Sequence, residues 1–224
     1  MNLDEFRHAL THMSPGEVAA RYTLRGVQRV SGFNLFHGLC LTEKSARALP
    51  GISGVEYRFV EPERLRQEAG IAGNGLHAGE VESRIDAGEE CFGAFIGKVL
   101  VSQLWFSSDC AHLKDKVFVH FDPAFAYSRW AFTRVEHRGK HLHALCKQKA
   151  LEAYAARGRR GILSVVDAWN FSSLKAAAQA GCVRTGWMAM TAKRVWTSEG
   201  CRRQGMWLGG ELSAGPGATP RVRV

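Results

Sequence analysis

Between residues 139 and 157 the apolar side chains Leu142, Leu145, Cys146, Ala150, Ala153 and Tyr154 return at helical spacing, and Gly158 follows as a stop. The pattern predicts a helix over 139–157. Residues 161–168 (GILSVVDA) then form a nearly continuous apolar run of strand length, as expected for a strand covered on both faces. Asn170 is placed to cap a helix over 171–180 that Gly181 ends, and a β-rich stretch follows over 182–196. Upstream, 91–96 and 99–106 flank the turn Gly97-Lys98 and read as a hairpin. Residues 117–121 and 127–135 read as two further strands separated by Asp122-Pro123.

The first quarter of the chain reads differently. Ser14-Pro15-Gly16-Glu17 has the Ser and Glu of a capping box three apart with Pro at the first helical position, so a helix is expected from there toward Val30. Residues 1–54 are therefore expected to be a mostly helical extension. Tyr57-Arg58-Phe59-Val60 reads as a short strand, and Glu61-Pro62-Glu63 opens a helix through Leu65, so a main domain is expected over 55–198. The stretch 70–90 is rich in Gly and acids and holds one short helix. Residues 199–224 carry Gly, Pro and Arg in low-complexity fashion and are expected to be a flexible tail. No internal repeat is present. The order strand, basic helix, buried strand, helix, strand implies a mixed sheet with helices packed on its faces.

Composition narrows the class. At 224 residues, 46% hydrophobic and 23% charged, the chain can bury one sizeable core, which excludes global disorder. Thirty Lys+Arg against 21 Asp+Glu leave a net charge of +9, which favours anionic partners without choosing among nucleotides, an acidic carrier protein and RNA. The six cysteines are scattered without a C-x-x-C pair, as in a reducing compartment. The segment MNLDEFRHALTHM lacks the apolar core of a signal peptide, and no apolar run approaches the ~18 residues of a membrane span. A cytoplasmic protein is the expectation.

The chemistry concentrates where a strand runs into Arg138-Gly139-Lys140 and a long helix follows at once. Such a junction turns unpaired backbone N–H groups and the positive end of the helix dipole toward one point, an anion site. Arg138, Lys140, His141 and His143 add donors suited to a pyrophosphate. His137, His141, His143 and Cys146 raise a metal reading, but His141 and His143 point apart on a helix, and no metal is expected. The six Trp and twelve Phe fall mostly in strand-like runs, where core packing accounts for them.

The run Thr133-Arg134-Val135-Glu136-His137-Arg138-Gly139-Lys140-His141-Leu142-His143 resembles the cofactor-binding motif of the GNAT N-acetyltransferase superfamily, in which a strand precedes Arg/Gln-x-x-Gly-x-Gly/Ala. Asn170, Ser173 and Gly181 resemble that family's later Asn-x-x-Ser/Ala helix ending in Gly-Phe. The resemblance covers roughly residues 55–196. It implies an α/β fold with a mixed central sheet, two splayed parallel strands, helices on both faces and a helical N-terminal extension. It further implies an acyltransferase that moves an acyl group from acetyl-CoA or another acyl-CoA to an amine acceptor the sequence does not name. Ala131, Phe132 and Thr133 would offer backbone groups to the pantetheine arm. Arg138, Gly139, Lys140, His141, Leu142 and His143 would wrap the pyrophosphate, and Asn170 and Ser173 would line the wall near the thioester.

Three departures qualify the resemblance. His141 and His143 stand at the small positions of the phosphate loop, so either the pyrophosphate sits farther out with imidazole help, strongest below about pH 6.5, or the donor is not CoA. Ala177 stands where many relatives carry a general-acid Tyr, and Cys182 replaces a Phe. For the acceptor's proton the candidates are Tyr127, His120, Glu136 and Asp122. Two alternatives stay open: a donor carried by an acyl carrier protein or aminoacyl-tRNA, and a non-catalytic module that binds a nucleotide or RNA.

Overall fold

The structure, a computed structural model of the chain, describes residues 14–71 and 73–210. Helix α1, Pro15–Ser31, begins on the expected capping box: Ser14 Oγ accepts from Glu17 N, and Ser14 N donates to the Glu17 carboxylate at 2.8 Å. Gly32, at φ 66°, ends it. The chain then departs from expectation. Residues Asn34–Leu41 form strand β1, with the apolar run Leu39-Cys40-Leu41 at most 5% exposed. This stretch was expected to continue the helical extension. Its run of apolar residues is the signature of a strand covered on both faces, and Gly38 confirms the crowding: a Cβ there would lie 2.5 Å from Cys201 Sγ.

After β2 (Val55–Val60), α2 (Pro62–Ala69) and α3 (Ala78–Asp86), the hairpin β3 (Glu90–Ile96) and β4 (Val99–Ser107) forms as expected. Two strands follow, β5 (Cys110–Lys114) and β6 (Val117–Phe121), the first without a clear sequence signal. Next come β7 (Ala126–Thr133), a 3-10 turn at Val135–His137, and α4 (Leu142–Ala155). The chain continues through β8 (Ile162–Asp167), α5 (Phe171–Ala180), β9 (Val183–Met190) and β10 (Val195–Thr197). Helix α6 (Glu199–Arg203) and β11 (Met206–Gly210) close the described part.

Eight strands make one mixed sheet in the order β10-β9-β1-β8-β7-β4-β3-β2, and β11-β6-β5 make a second. Among the described residues β7 and β8 are the one parallel pair, joined by the crossover helix α4. Strand alternation assigns the two faces. On β3, Phe92 packs toward α4 with Leu104, Phe106, Leu151 and Tyr154, while its neighbour Cys91 packs toward α2 and α3 with Leu65, Val81 and Trp105. On β8, Ile162 meets α4, and Leu163 faces the small sheet, packing with its Phe121 and Met206 and with Met188 of β9. Helices thus cover both faces of the large sheet.

The segment expected to be a flexible tail also differs as far as residue 210. Cys201 and Met206 are fully buried and Leu208 is 5% exposed, and β11 pairs with β6 along its whole length. Three apolar side chains among glycines and arginines suffice, because each falls on an inward position. Residues 1–13 and 211–224 lie outside the described part. Among the described residues no helix is long and apolar enough to cross a membrane.

Candidate functional site

The site begins where the parallel pair comes apart. Ala126, Tyr127 and Ser128 pair with Ile162, Leu163 and Ser164, and no further rung follows. On the other edge of β7, Trp105 pairs with Trp130 while Phe106 pairs with Ser128, which leaves Arg129 as the extra residue of a bulge. A bulge bends its strand and increases the local twist, so β7 turns away from β8. The bulge is pinned from behind. Arg129 Nη1 lies 2.5 Å from the buried Glu89 carboxylate, whose other oxygen is 3.4 Å from Arg84 Nη1. The Arg84 guanidinium in turn lies 5.2 Å from the rings of both Trp105 and Trp130.

The V between the strands opens a cleft of about 320 Å³. Ser128, Arg129, Trp130 and Ala131 line one wall, Ser164 to Asp167 the other, with Asn170, Ser173 and Ala177 of the α5 region beyond. Because β8 has left, backbone groups on this edge of β7 face the cleft instead of a ladder. Asn170 is held by its own cap, its side chain accepting from Ser173 N at 3.2 Å. His143 and Lys147, one turn apart on α4, complete the floor. Lys147 is 3% exposed and donates to Ser164 Oγ at 3.0 Å. Burial, with Lys147 next in weight, pushes His143 down to about 4, so its imidazole is neutral at physiological pH. The gain in charge expected below about pH 6.5 is therefore displaced to stronger acid.

A second hollow, of about 160 Å³, lies at the start of α4. Thr133, Arg138, Gly139, His141, Leu142 and Gln179 line it, and His143 borders both hollows. The first turn of α4 carries no acidic side chain and no side-chain cap, so its leading N–H groups remain open toward the hollow. His141, at φ 57°, occupies the left-handed region that a glycine would take without strain. Its Nδ1 lies 3.4 Å from Gln179 Oε1. Gly139 has φ 76° and open space around a would-be Cβ, so its requirement is conformational. Arg138 Nε donates to Thr133 O at 3.0 Å, with the guanidinium 5.8 Å from the Phe132 ring.

The sequence-derived residues divide by position. Ala131, His143, Asn170 and Ser173 line the larger hollow, and Thr133, Arg138, Gly139, His141, Leu142 and His143 the smaller. Phe132 turns its ring to Gly75 and stacks on Trp130, and Lys140 Nζ donates to Glu136 O at 3.3 Å. The proton-transfer candidates do not line either hollow. Tyr127 is 2% exposed and stacked on Phe121 against the small sheet, where burial raises its hydroxyl well above the usual range. His120 stacks on Trp207 in the small sheet, Asp122 accepts from Ala124 N in a turn, and Glu136 is exposed on the 3-10 turn. Cys146 packs in the core. Lys147, Ser128, Arg129 and Ser164 also line the cleft, though no motif in the sequence marks them. Lys147 alone carried a signal, a lone cation on the apolar side of the predicted helix.

No family model matches the sequence, and no curated protein matches it. Solved structures match at the level of fold. An acetyltransferase of the GNAT family from Colwellia psychrerythraea superposes with a TM-score of 0.52 at 15% identity, covering 70% of this chain and 55% of its own. A GCN5-related N-acetyltransferase from Sphaerobacter thermophilus does so at 0.50 and 12% identity, covering 74% and 53%. The chain spans little more than half the length of these two proteins. With one parallel pair among the described residues, splaying after three rungs and joined by the crossover helix α4, the chain has the fold of the GNAT acetyltransferases.

Proposed function

We propose that this chain is an N-acyltransferase that takes an acyl group from an acyl-CoA, acetyl-CoA being the simplest, and passes it to an amine. The observation that carries the reading is the alignment of two open features. Unpaired amides at the start of α4 lie at one end of the free β7 edge, and the last β7/β8 rung lies at the other. From Thr133 back to Ser128 is five residues, about 16 Å at ~3.3 Å per residue. An acyl-CoA has matching chemistry: a pyrophosphate, an extended arm whose amides can bond a strand edge as an added strand does, and a thioester at the far end. Arg138 and the amides of 142–144 would hold the phosphates. The backbone of 131–133 would bond the arm, and Asn170 and Ser173 would close the wall. A backbone N–H on the free edge would polarise the thioester carbonyl.

A second reading keeps the fold and changes the donor. His141 narrows the phosphate hollow and the net charge is +9, both of which favour the single phosphate of an acidic carrier protein's phosphopantetheine arm. Thermal unfolding separates the two. Acetyl-CoA at a hundredfold over its Kd adds about 2.7 kcal/mol of stability; carrier protein, longer acyl-CoAs and tRNA are the comparison ligands. Arg138→Ala removes a charged donor worth about 1.5–3 kcal/mol, roughly ten- to a hundredfold in affinity for the true donor. No stabilisation by any CoA overturns the leading reading, and an unchanged Arg138→Ala affinity removes the loop from it.

A further inference from the structure

Lys147 presents an unusual situation. Its side chain comes up from α4 beneath the splayed strands and ends at Ser164 Oγ, on the last rung that β7 and β8 share. Its residue is 3% exposed, and among the described residues no carboxylate pairs with it. Burying an ammonium against one neutral hydroxyl is unfavourable unless something else answers the charge. The surrounding titratable groups do not. His143 is neutral, Cys40 on β1 is a buried thiol held protonated, and Arg129 on β7 is a cation already bound to Glu89. Asp167 lies three residues further along β8, on the opposite strand face from Ser164, and interacts with Lys114, Trp169 and Arg25.

The position of this ammonium relative to the anion site is set by the fold. Lys147 lies six residues into the helix from His141, about 9 Å at ~1.5 Å per residue. α4 runs back along β7, and the lysine stem extends the reach to the apex of the V. That apex is also where a donor bound as described above ends its arm.

Resting on that donor reading, we infer that Lys147 is the residue that receives the departing sulfur of the acyl thioester. In the step, the amine nitrogen bonds to the carbonyl carbon, the carbon–sulfur bond breaks with its electron pair going to sulfur, and a Lys147 N–H proton passes to that sulfur. The proton the nitrogen sheds goes to water, from which Lys147 is reprotonated. Ser164 positions the ammonium by accepting one of its three hydrogens, leaving two for the ligand.

The experiment compares wild type with Lys147→Met, of similar length and without charge, and with Lys147→Arg. CoA itself is the probe: its thiolate absorbs in the ultraviolet, so the thiol of bound CoA can be titrated without turnover. An ammonium within reach lowers the bound thiol's titration by about one to three pH units, and Lys147→Met abolishes that shift while CoA affinity stays within about threefold. In turnover with acetyl-CoA, kcat falls about a hundredfold at nearly constant donor KM, the loss expected for one charge-stabilising donor, and Lys147→Arg restores part of it. A merely structural lysine would leave the bound thiol where it is. Bound CoA titrating alike in wild type and Lys147→Met, or kcat unchanged, overturns the inference. Wild type failing to bind CoA overturns the donor reading and takes this inference with it.

Discussion

Glutamate 89 is the point at which fold and site are most directly coupled. Its carboxylate is 4% exposed and lies between the guanidinium groups of Arg129 at 2.5 Å and Arg84 at 3.4 Å, whose side chains are 27% and 14% exposed. Glu89→Gln keeps the shape and one acceptor but leaves two half-buried cations facing each other. Removing one partner of a buried pair costs about 3–5 kcal/mol. Because Arg129 can partly turn to solvent, a cost at or just under the bottom of that range is expected, about 2–3 kcal/mol. With a urea slope of about 2–3 kcal/mol/M for a chain of this size, the midpoint falls by about 1 M. Glu56→Gln provides the control, since its pair with Arg58 is 64% and 45% exposed and contributes at most about 0.5 kcal/mol. Arg129 is the bulge residue, so the same substitution loosens the splay, and donor affinity is expected to fall along with stability. Equal midpoints for Glu89→Gln and Glu56→Gln would refute the idea that this ion cluster pins the bulge.

Two further expectations concern parts of the chain where structure and sequence reading diverge. Met206→Ala in β11 empties a fully buried position against Phe121 and Met188 and costs about 2–5 kcal/mol in urea unfolding; a loss below about 0.5 kcal/mol would mean that residues beyond 198 are not docked. His143 is held neutral down to about 4 while its unfolded value is near 6.5, so the unfolded chain binds the extra proton and stability declines as pH falls through that window. His143→Gln removes this part of the acid slope, about 2 kcal/mol after discounting the partly solvated ring, and identical slopes in the two proteins would refute the burial assignment.

What could be read from the sequence followed the strength of local signals. The capping box at Ser14, the 3.6-residue pattern of α4, the β3/β4 turn and the Asn170 cap are each decided within a few residues, and all form as expected. Strand β1 was lost to the helical extension because its neighbours in the sheet, β8 and β9, lie more than a hundred residues away, and nothing local shows that both its faces will be covered. Strand β5 fails differently: only Ala111 of its five residues is buried, so pattern offers little. At the other end, Gly and Arg dominate 199–210, and only the pairing of β11 with β6 turns Met206 and Leu208 inward.

The site divides along the same line. The loop 138–143 is contiguous, and all of its residues but Lys140 line one hollow because strand, turn and helix follow one another in the chain. Tyr127 and His120, the proton-transfer candidates from the strands before the loop, lie away from both hollows, because residue type does not tell which face of a strand meets the cleft: Tyr127 stacks on Phe121 and His120 on Trp207, at the small sheet formed by β5, β6 and β11. The cleft's own polar groups come from four separate elements and meet only because β7 carries one extra residue. That single insertion at Arg129, invisible in a list of strand formers, ends the β7/β8 ladder after Ser128 and Ser164. A strand pair that stayed zipped for two more rungs would have sealed Lys147 beneath the sheet. As built, the Lys147 side chain lies at the bottom of an open V, bonded to Ser164 on the last shared rung, so the bulge sets both the depth of the cleft and the side chain found at its floor.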